Sequence, residues 1–398
     1  MAFDFPNSPT LGQAYGNYLW DGEKWTLPNL VDAIAARKSI YAAPLDAMAY
    51  NGMQINGSMD VSQELGGTAV SIAGKYVCDG WLLYTGGTMA VAAAQGASVG
   101  SFAGIPNILY CTVGTAQASL SGGDQVCFYQ IIEGRRIARL AWGSASAQPI
   151  TIGFWTAHHR AGLYSGTVRN SSGARSYAFT YTQATADGPQ YNVVTIPGCP
   201  DGTWAIDNTG GILVTFAMAS GATLTAPSAN AWLAGNYIAG PGQINGVAAT
   251  SDVFRITGVV VLPGIEAPSA ARSALIMRPY DQELLTCQRY WEKSYDPGTA
   301  PGAAAGNPYD LTIVAAVANA AYVFSTVKFI ASKRAAPTVV LYSPTTGGTS
   351  LVNVSGVARS AVAADVHVSR FGALQNQSGS PFNVGEPLQL HYTADARL

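Results

Sequence analysis

The sequence predicts an all-β protein whose strands pack as antiparallel sandwiches. Short runs of β-branched and aromatic residues recur along most of the chain, and turn-forming clusters such as Asp79-Gly80 and Asp187-Gly188-Pro189 separate them. Among 398 residues there are 44 glycines and 21 prolines, which suits many strands joined by tight turns. Only 11% of the residues are charged, against roughly 25% in a typical soluble domain. Uncharged polar groups or neighbouring copies of the chain must therefore cover its surface.

The charge and the hydropathy pattern exclude several functional classes. The formal net charge is -2 and no run of Lys and Arg occurs, so we expect neither nucleic-acid binding nor attraction to anionic membranes. No apolar run reaches the length of about 18 residues that predicts a membrane span. The first residues, MAFDFPNSPT, lack the basic and apolar regions of a signal peptide. The five cysteines contain no CxxC pair, so reduced, buried thiols are expected rather than zinc or disulfides.

Residues 1–45 are predicted to form a small N-terminal attachment module. Tyr18–Trp20 and Trp25-Thr26 flank an Asp21-Gly22 turn, which is typical of a β-hairpin. The stretch Asn29–Lys38 carries its larger apolar side chains on one face and predicts a short amphipathic helix. Because so small a module buries little surface alone, we expect it to dock on a partner or to form a trimer.

Residues 46–266 are predicted to form a jelly-roll domain. Many short strands with turns between them and no intervening helix indicate an antiparallel sandwich, and a jelly roll leaves few strand edges open. The stretch Ala90–Val99 is too rich in small residues to assign. The predicted strands are Met53–Val61, Tyr76–Tyr84, Asn107–Val113, Asp124–Ile132, Ala138–Trp142, Ile150–Trp155, Gly162–Arg169, Arg175–Thr182, Asn192–Ile196, Gly211–Met218 and Val253–Leu262.

Residues 267–293 are predicted to connect this domain to the next one. Asp281 is expected to cap a short helix from about Gln282 to Trp291. Leu284, Leu285 and Tyr290 would then form an apolar seam near a three-fold axis of a homotrimer.

Residues 294–398 are predicted to form a second, smaller β-sandwich. A Pro/Gly/Ala-rich stretch, DPGTAPGAAAGNP, precedes its strands. The predicted strands are Tyr309–Ala318, Tyr322–Phe329, Thr338–Tyr342, Val352–Ser355, Asp365–Phe371 and Leu388–Thr393.

The aromatic residues give the strongest indication of a binding site. A sugar-binding surface needs aromatic rings for the C–H face of a pyranose and amide or carboxylate groups for its hydroxyls. Two segments that resemble loops between strands offer both, and their candidate residues are Trp204, Asp207, Asn208, Trp232, Asn236 and Tyr237. The alternative is that these tryptophans cap the core of the sandwich or fill a subunit interface.

Catalytic and cofactor motifs give no comparable indication. The sequence has no nucleophile elbow, no phosphate-binding glycine loop and no assignable pair of carboxylates, so we do not expect an enzyme. No cofactor is expected. Asp201, Asp207 and Asn208 could offer oxygen ligands to a structural calcium ion, although their spacing matches no EF-hand loop.

Several segments resemble bacteriophage and prophage virion proteins that carry a jelly-roll domain similar to carbohydrate-binding modules. The segments of the middle domain are GFWTAHHRAGLYSGTVRN, RSYAFTYT, YNVVTIPGCPDGTWAIDNTGGILVTFAMASG and DVFRITGVVVLPG. The stretches RPYDQELLTCQRYWEKSY and KRAAPTVV resemble the parts that follow this domain in such proteins, and the N-terminal segments PNSPTLGQAY and YLWDGEKW resemble the start of virion structural proteins.

One strand departs from the pattern of this family. Its members usually end the closing strand with Gln-Leu-Glu, whereas this chain has Val259-Val260-Val261-Leu262-Pro263. The loss of a polar edge suggests that this strand is buried against another subunit or domain.

The resemblance implies a virion fibre, spike or tail-tip protein that is homotrimeric and contacts host surface glycans. Its N-terminal module would bind other virion proteins, and the chain would assemble in the cytoplasm of the bacterial host and end in the virion. Two alternatives stay open. One is a purely structural head-fibre, decoration or baseplate-periphery protein without a sugar site, and the other is a glycan depolymerase.

Overall fold

The computed structural model divides the chain into two compact units, residues 1–50 and 51–398. The residues that the structure describes are 8–11, 13–15, 18–20, 25–26, 52–98, 100, 102–305, 311–314, 322–324, 329–367, 370–376 and 383–398. In this part of the chain, no helix is long and apolar enough to cross a membrane.

The described part of the first unit is a small antiparallel sheet. Its strands are β1 (Ala14–Tyr15), β2 (Tyr18–Trp20) and β3 (Trp25–Thr26). Trp20 lies opposite Trp25, with ring centroids 5.6 Å apart in an edge-to-face arrangement. The predicted hairpin pairing is therefore confirmed, whereas its Asp21-Gly22 turn and the predicted helix Asn29–Lys38 lie outside the described residues.

The second unit is built almost entirely of strands. The strands before the connector are β4 (Lys75–Cys78), β5 (Trp81–Gly86), β6 (Ala90–Ala97), β7 (Asn107–Thr115), β8 (Gln125–Glu133), β9 (Ile150–Thr156), β10 (Gly162–Asn170), β11 (Arg175–Gln183), β12 (Gln190–Ile196), β13 (Gly210–Ser220), β14 (Trp232–Ala234) and β15 (Val253–Pro263). Helical turns are short: α1 (Gly134–Ile137) and the 3-10 helices Ala138–Leu140 and Ala222–Leu224.

These strands form the predicted antiparallel jelly-roll sandwich. In the described part of the chain, one sheet has seven strands in the order β14-β11-β10-β13-β8-β5-β4, and the other has five in the order β12-β9-β15-β7-β6. Strands that are distant in sequence lie side by side in both sheets, as a jelly roll requires. The sequence favours this arrangement because alternate side chains of central strands such as β9 and β13 are large and apolar.

The core of the sandwich is aromatic. Phe128, Phe154, Phe216 and Phe254 point inward from four different strands and are all at most 1% exposed. The rings of Phe154 and Phe216 lie 4.9 Å apart across the two sheets. Burial of such large rings is the dominant stabilising contribution here, because each removes roughly 150–250 Å² from water.

The segment Met53–Val61 does not form the predicted strand. Its backbone turns at Asn56 and Met59, where φ is 50° and 59°. It runs instead beside the second half of β15, where the Met53 amide donates to the Val261 carbonyl at 2.9 Å. The apolar end of β15 is therefore buried against a segment of the same chain, and the expectation that another subunit or domain covers it is wrong.

Two other strand predictions differ from the structure near turns, and one unassigned stretch is a strand. Ala138–Trp142 is not a strand, because β8 ends at Glu133 and helical turns follow as far as Ala141, which has φ 53°. Tyr76–Tyr84 is two strands, since Gly80 supplies a left-handed turn with φ 80°. Ala90–Ala97, which the sequence left unassigned, is the edge strand β6.

The connector joins the sandwich to the C-terminal sheet through helical turns. It contains a 3-10 helix at Ala270–Ile276 and helix α2 at Tyr280–Gln288. Helix α2 begins after Pro279, which is pre-organised for a helix start, and Asp281 lies in its first turn without acting as its side-chain cap.

The C-terminal strands form one connected antiparallel network around a central strand. They are β16 (Trp291–Lys293), β17 (Leu311–Val314), β18 (Tyr322–Phe324), β19 (Thr338–Tyr342), β20 (Leu351–Val354), β21 (Val357–His367), β22 (Arg370–Asn376) and β23 (Pro387–Asp395). The first half of β23 pairs with β17 and β20, and its second half pairs with β16 and β19. The predicted single strand Asp365–Phe371 is divided between two strands, because its first residues end β21 and its last residues begin β22, and the two strands pair antiparallel with His367 opposite Arg370.

Candidate functional site

Three tryptophans meet at one end of the sandwich core. Trp204 lies 4.7 Å from Trp142 and 5.6 Å from Trp232 between ring centroids, and Trp142 lies 5.3 Å from Trp232, all edge to face. Trp204 and Trp142 are buried, whereas Trp232 is half-buried. The indole N–H groups all donate to backbone carbonyl oxygens: Trp142 to Gln148 at 2.7 Å, Trp204 to Asp201 at 2.9 Å and Trp232 to Pro197 at 2.9 Å. Trp204 therefore caps the core of the sandwich, which was the alternative to a place in the glycan-binding surface.

The side chains of the candidate residues Asp207 and Asn208 already form hydrogen bonds to other residues of the chain. Asp207 accepts hydrogen bonds from the amide and the hydroxyl of Thr209, at 2.9 and 2.5 Å, and these bonds lower the pKa of its carboxyl group. The Asn208 side chain donates to the Arg334 carbonyl at 2.7 Å, and Arg334 donates back to the Asn208 carbonyl at 2.9 Å. The loop thus contacts the C-terminal part of the chain.

The three oxygen-bearing residues considered for calcium serve different partners. Asp201 forms an exposed ion pair with Arg175, while Asp207 and Asn208 make the contacts given above. Within the described ranges, no group of three or more His, Cys, Asp or Glu side chains could hold a metal ion. All five cysteines are buried as free thiols.

The residues of the predicted oligomer seam differ in exposure. Leu285 is 51% exposed on α2, and Leu284 is half-buried beside it. Tyr290 is buried, and its hydroxyl donates to Glu133 of the same chain at 2.9 Å. Of the three, Leu285 therefore offers the most free apolar surface.

The other predicted glycan residues, Asn236 and Tyr237, follow β14 at the edge of the seven-stranded sheet. The Tyr237 amide donates to the Ser176 hydroxyl at 3.1 Å and fixes this part of the chain to β11. Asn236 is exposed, and its side-chain oxygen accepts a hydrogen bond from Arg169 of β10. This contact brings Asn236 over the outer face of the sheet, away from the tryptophans inside.

A cavity of about 260 Å³ lies on this outer face. Its floor comes from alternate residues of neighbouring strands, because cross-strand partners project on the same side. The register places Arg169 beside Leu213 and Leu213 beside Ile131, with Tyr129 in the next row. The segment between β13 and β15 crosses this face of the sheet, and we call it the crossing segment. It contributes Leu224, Asn236 and Ile238 to the wall of the cavity, and Tyr84, Gln125 and Cys127 complete the lining.

Two tyrosines give this cavity an aromatic wall. The rings of Tyr84 and Tyr129 lie 6.5 Å apart and are tilted by 56°. Tyr84 is 41% exposed, so one of its ring faces is open to a ligand. Burial raises the pKa of Tyr129, and its hydroxyl therefore stays protonated as a possible hydrogen-bond donor.

Arg169 is the one charged residue among the described residues that line this cavity. It is 8% exposed. Its guanidinium donates to Asn236 and, at 3.4 Å, to the Thr215 hydroxyl, while its Nε atom has no hydrogen-bond partner. Burial lowers the pKa of Arg169, but a guanidinium remains charged at neutral pH.

Two further cavities lie near the C-terminal sheet, and each contains a cation that already binds groups of the same chain. One of about 300 Å³ includes Lys293, whose ammonium donates to two backbone carbonyl oxygens at 2.9 and 2.7 Å. The other, of about 660 Å³, includes Arg397, which pairs with both Asp395 and Glu64. These contacts stabilise the fold. The cavity on the seven-stranded sheet is taken as the candidate site because it contains a buried guanidinium whose Nε atom has no hydrogen-bond partner.

The sequence indicated only Asn236 among the residues of this cavity. Tyr84, Tyr129 and Arg169 were missed because each lies inside a strand, where side chains are normally read as structural. The sequence of β10, GLYSGTVRN, could have indicated this site, because its outward positions carry the polar residues Ser165, Thr167 and Arg169. An arginine in the middle of a sheet, without an acidic neighbour across the strands, indicates a polar outer face.

No protein-family model matches the chain, and no curated protein sequence matches it. Among solved structures, it is similar to the enzymatically active domain of tailspike protein 4 of bacteriophage CBA120, with 12% identity and a TM-score of 0.30 over 54% of this chain and 22% of that one. The carbohydrate-binding module CBM4 aligns with 15% identity and a TM-score of 0.30 over 52% of this chain and 97% of that one.

A family 11 carbohydrate-binding module from Clostridium thermocellum, solved with a mixed-linked β-1,3-1,4 tetrasaccharide, aligns with 12% identity and a TM-score of 0.23 over 51% of this chain and 100% of that one. These identities and scores are too low to assign a family or a ligand to this chain. Its jelly-roll class is established by the order and pairing of its own strands.

Proposed function

We propose that this chain is a non-catalytic glycan-binding structural protein of a bacteriophage virion. It acts as a fibre, spike or tail-tip component, forms a homotrimer and contacts glycans of the host cell surface. The observation that supports glycan binding is the cavity on the outer face of the seven-stranded sheet, where Tyr84 and Tyr129 stand beside Arg169, Gln125 and Asn236.

The composition of this cavity suits a sugar. A pyranose presents an apolar C–H face and a rim of hydroxyl groups, so its site combines aromatic rings with amides and charged donors. The cavity volume of about 260 Å³ is close to the lower end of the roughly 300–1,000 Å³ of small-molecule sites. One or two sugar rings of a longer glycan would therefore fill it while the chain ends remain in solvent.

The virion role rests on the sequence resemblance together with the low charge and the β-rich architecture. In this role, the N-terminal module binds other virion proteins, and the chain assembles in the bacterial cytoplasm. Detection of the chain in purified particles from cells that carry this coding sequence is the expected result, and particles that lack it would contradict the proposal.

Glycan binding is tested on an array of bacterial surface polysaccharides with the full chain and the variant Tyr84→Ala. Tyr84 is exposed, so its truncation should leave the fold intact while binding falls at least tenfold. The matched control is Tyr280→Ala, which removes a tyrosine of similar exposure, 49%, from α2.

Three other outcomes would contradict parts of this proposal. Absence of binding to every glycan would favour the purely structural virion protein. Equal losses of glycan binding in Tyr84→Ala and Tyr280→Ala would show that the cavity is not the glycan-binding site. Release of sugar fragments by the purified chain would instead favour the glycan depolymerase.

A further inference from the structure

Arg169 is the one arginine among the described residues that is buried, and no carboxylate among them pairs with it. A guanidinium that is removed from water normally requires an anion nearby, since burial of an uncompensated charge is costly. Arginines that are only half-buried meet this requirement in different ways. Arg334 donates to three backbone carbonyl oxygens, and five others form the pairs Arg160–Asp252, Arg255–Asp187, Arg278–Glu283, Arg289–Glu133 and Arg397–Asp395.

The surroundings of Arg169 are neutral on every side that the structure describes. Asn236 offers an amide oxygen, and the Thr215 hydroxyl lies at the long distance of 3.4 Å. The Arg169 Nε atom and the Thr167 hydroxyl, two residues before it on the same strand, have no hydrogen-bond partner. Of the five N–H donors of a guanidinium, these contacts use two.

A negatively charged group of a ligand can approach Arg169 from solvent through the cavity. The residue lines the 260 Å³ cavity, and the Asn236 side chain that covers it is exposed and belongs to a segment outside the regular strands. A shift of this one amide would open the guanidinium to a ligand. A planar carboxylate could then accept two parallel hydrogen bonds, the geometry in which arginine binds carboxylates most strongly.

We infer that the cavity selects an acidic sugar, a pyranose that carries a carboxylate group, whose charge pairs with Arg169 while its ring packs on Tyr84 and Tyr129. This inference rests on the proposed glycan-binding function and names its substrate class. A single carboxylate is favoured over a phosphate monoester because one guanidinium balances one negative charge. It is favoured over a tetrahedral sulfate ester because its two oxygens lie in one plane and match the planar guanidinium. The remaining lining, Ile131, Leu213, Leu224 and Ile238, suits the body of the sugar ring.

The test compares an uronate-containing polysaccharide with the same polysaccharide after reduction of its carboxyl groups, so that only the charge differs. Titration calorimetry on the full chain should show at least tenfold tighter binding of the uronate form. Equal affinity for the two forms would overturn the acidic-sugar inference while leaving the proposed function intact. Absence of binding to both forms and to every neutral glycan would overturn both.

A charge placed inside the site gives a second, independent test. The variant Asn236→Asp adds a carboxylate beside Arg169 and should compete with the ligand, so the ratio of the affinities for the uronate and the reduced forms should fall to about one. The matched control Asn230→Asp adds the same charge at an exposed position of the same crossing segment, outside the cavity lining. An unchanged preference in Asn236→Asp would overturn the role of Arg169.

The nature of the anion is tested with sulfated and phosphorylated derivatives of the reduced polysaccharide. We expect both to bind more weakly than the uronate form. Tighter binding of either derivative would overturn the assignment of a carboxylate.

Discussion

Arg289 donates two hydrogen bonds to Glu133, at 2.7 and 2.9 Å, although 156 residues separate them in the sequence. Burial would raise the pKa of the Glu133 carboxyl group, but the hydrogen bonds from Arg289 and Tyr290 lower it overall. Because Glu133 ends β8 and Arg289 follows α2, this ion pair fixes the connector to the jelly roll.

We predict that Glu133→Gln destabilises the protein by roughly 2 kcal/mol, because Arg289 loses its charged partner in a mostly buried place. Urea unfolding followed by tryptophan fluorescence measures the change. The control is Asp201→Asn at the exposed pair with Arg175, where the midpoint should move far less. Equal shifts for the two variants would show that the Glu133 pair is no stronger than a surface contact.

Removal of a tryptophan from the core cluster should lower the free energy of unfolding rather than weaken glycan binding directly. We predict that Trp204→Ala costs about 3–5 kcal/mol, because it leaves a cavity between Trp142 and Trp232. Trp204→Phe should lose less, since an aromatic ring remains. A Trp204→Ala variant that unfolds like the parent chain but no longer binds glycans would place Trp204 in the binding site instead.

A fully buried ion pair connects the end of the connector to the C-terminal part of the chain. The Lys333 ammonium donates to Glu292 at 2.5 Å, and both side chains are 0% exposed. Lys333→Met alone should cost about 3–5 kcal/mol because Glu292 then lacks a counter-charge. The double variant Lys333→Met/Glu292→Gln should recover a large part of this loss. A double-mutant cycle by thermal unfolding measures the coupling, and simply additive losses would contradict it.

Stability should depend on pH through Asp79. Burial raises the pKa of Asp79 from 3.8 to about 6, even though Gln63 donates hydrogen bonds that act in the opposite direction. The folded state thus holds this proton more tightly than the unfolded chain. The contribution of Asp79 to stability is therefore fully present below pH about 4 and lost as the pH rises through about 6.

Asp79→Asn cannot ionise, so its stability should rise relative to the parent chain between pH 4 and 7, by at most about 3 kcal/mol. Urea midpoints of both proteins at several pH values in this range measure the difference. Parallel pH profiles would show that Asp79 is not the titrating group.

The predicted oligomer seam is tested at its most exposed residue. If α2 lies in the interface of the proposed homotrimer, Leu285→Asp should leave the β-sheets folded and shift the mass toward that of a monomer, because a charge on a buried apolar contact is costly. The matched control is Leu275→Asp, at a position that is 65% exposed in the preceding 3-10 helix. Light scattering after gel filtration measures the mass, and intact trimers of Leu285→Asp would show that α2 lies outside the interface.

Local pattern was sufficient for most strands. Runs such as Ile150–Thr156 and Val253–Pro263 are β-branched and apolar, and the structure contains strands there within one or two residues of the predicted bounds. The failures occur where a turn interrupts an apolar run. Asn56 and Met59 adopt positive φ in such a run. The Asn56 amide donates to Glu283 and the Met59 carbonyl accepts a hydrogen bond from Gln95, and no short window of sequence reveals such distant partners.

The sequence by itself determined the all-β class and the many antiparallel strands, because alternation of side chains and turn residues are local properties. Only the tertiary structure decided which side chains meet. Trp204 is buried in the core. Arg169 of β10 lies next to Asn236, although 67 residues of sequence separate them. Such a pairing depends on strand order and on the path of a crossing segment, and these are set by the packing of the whole sandwich.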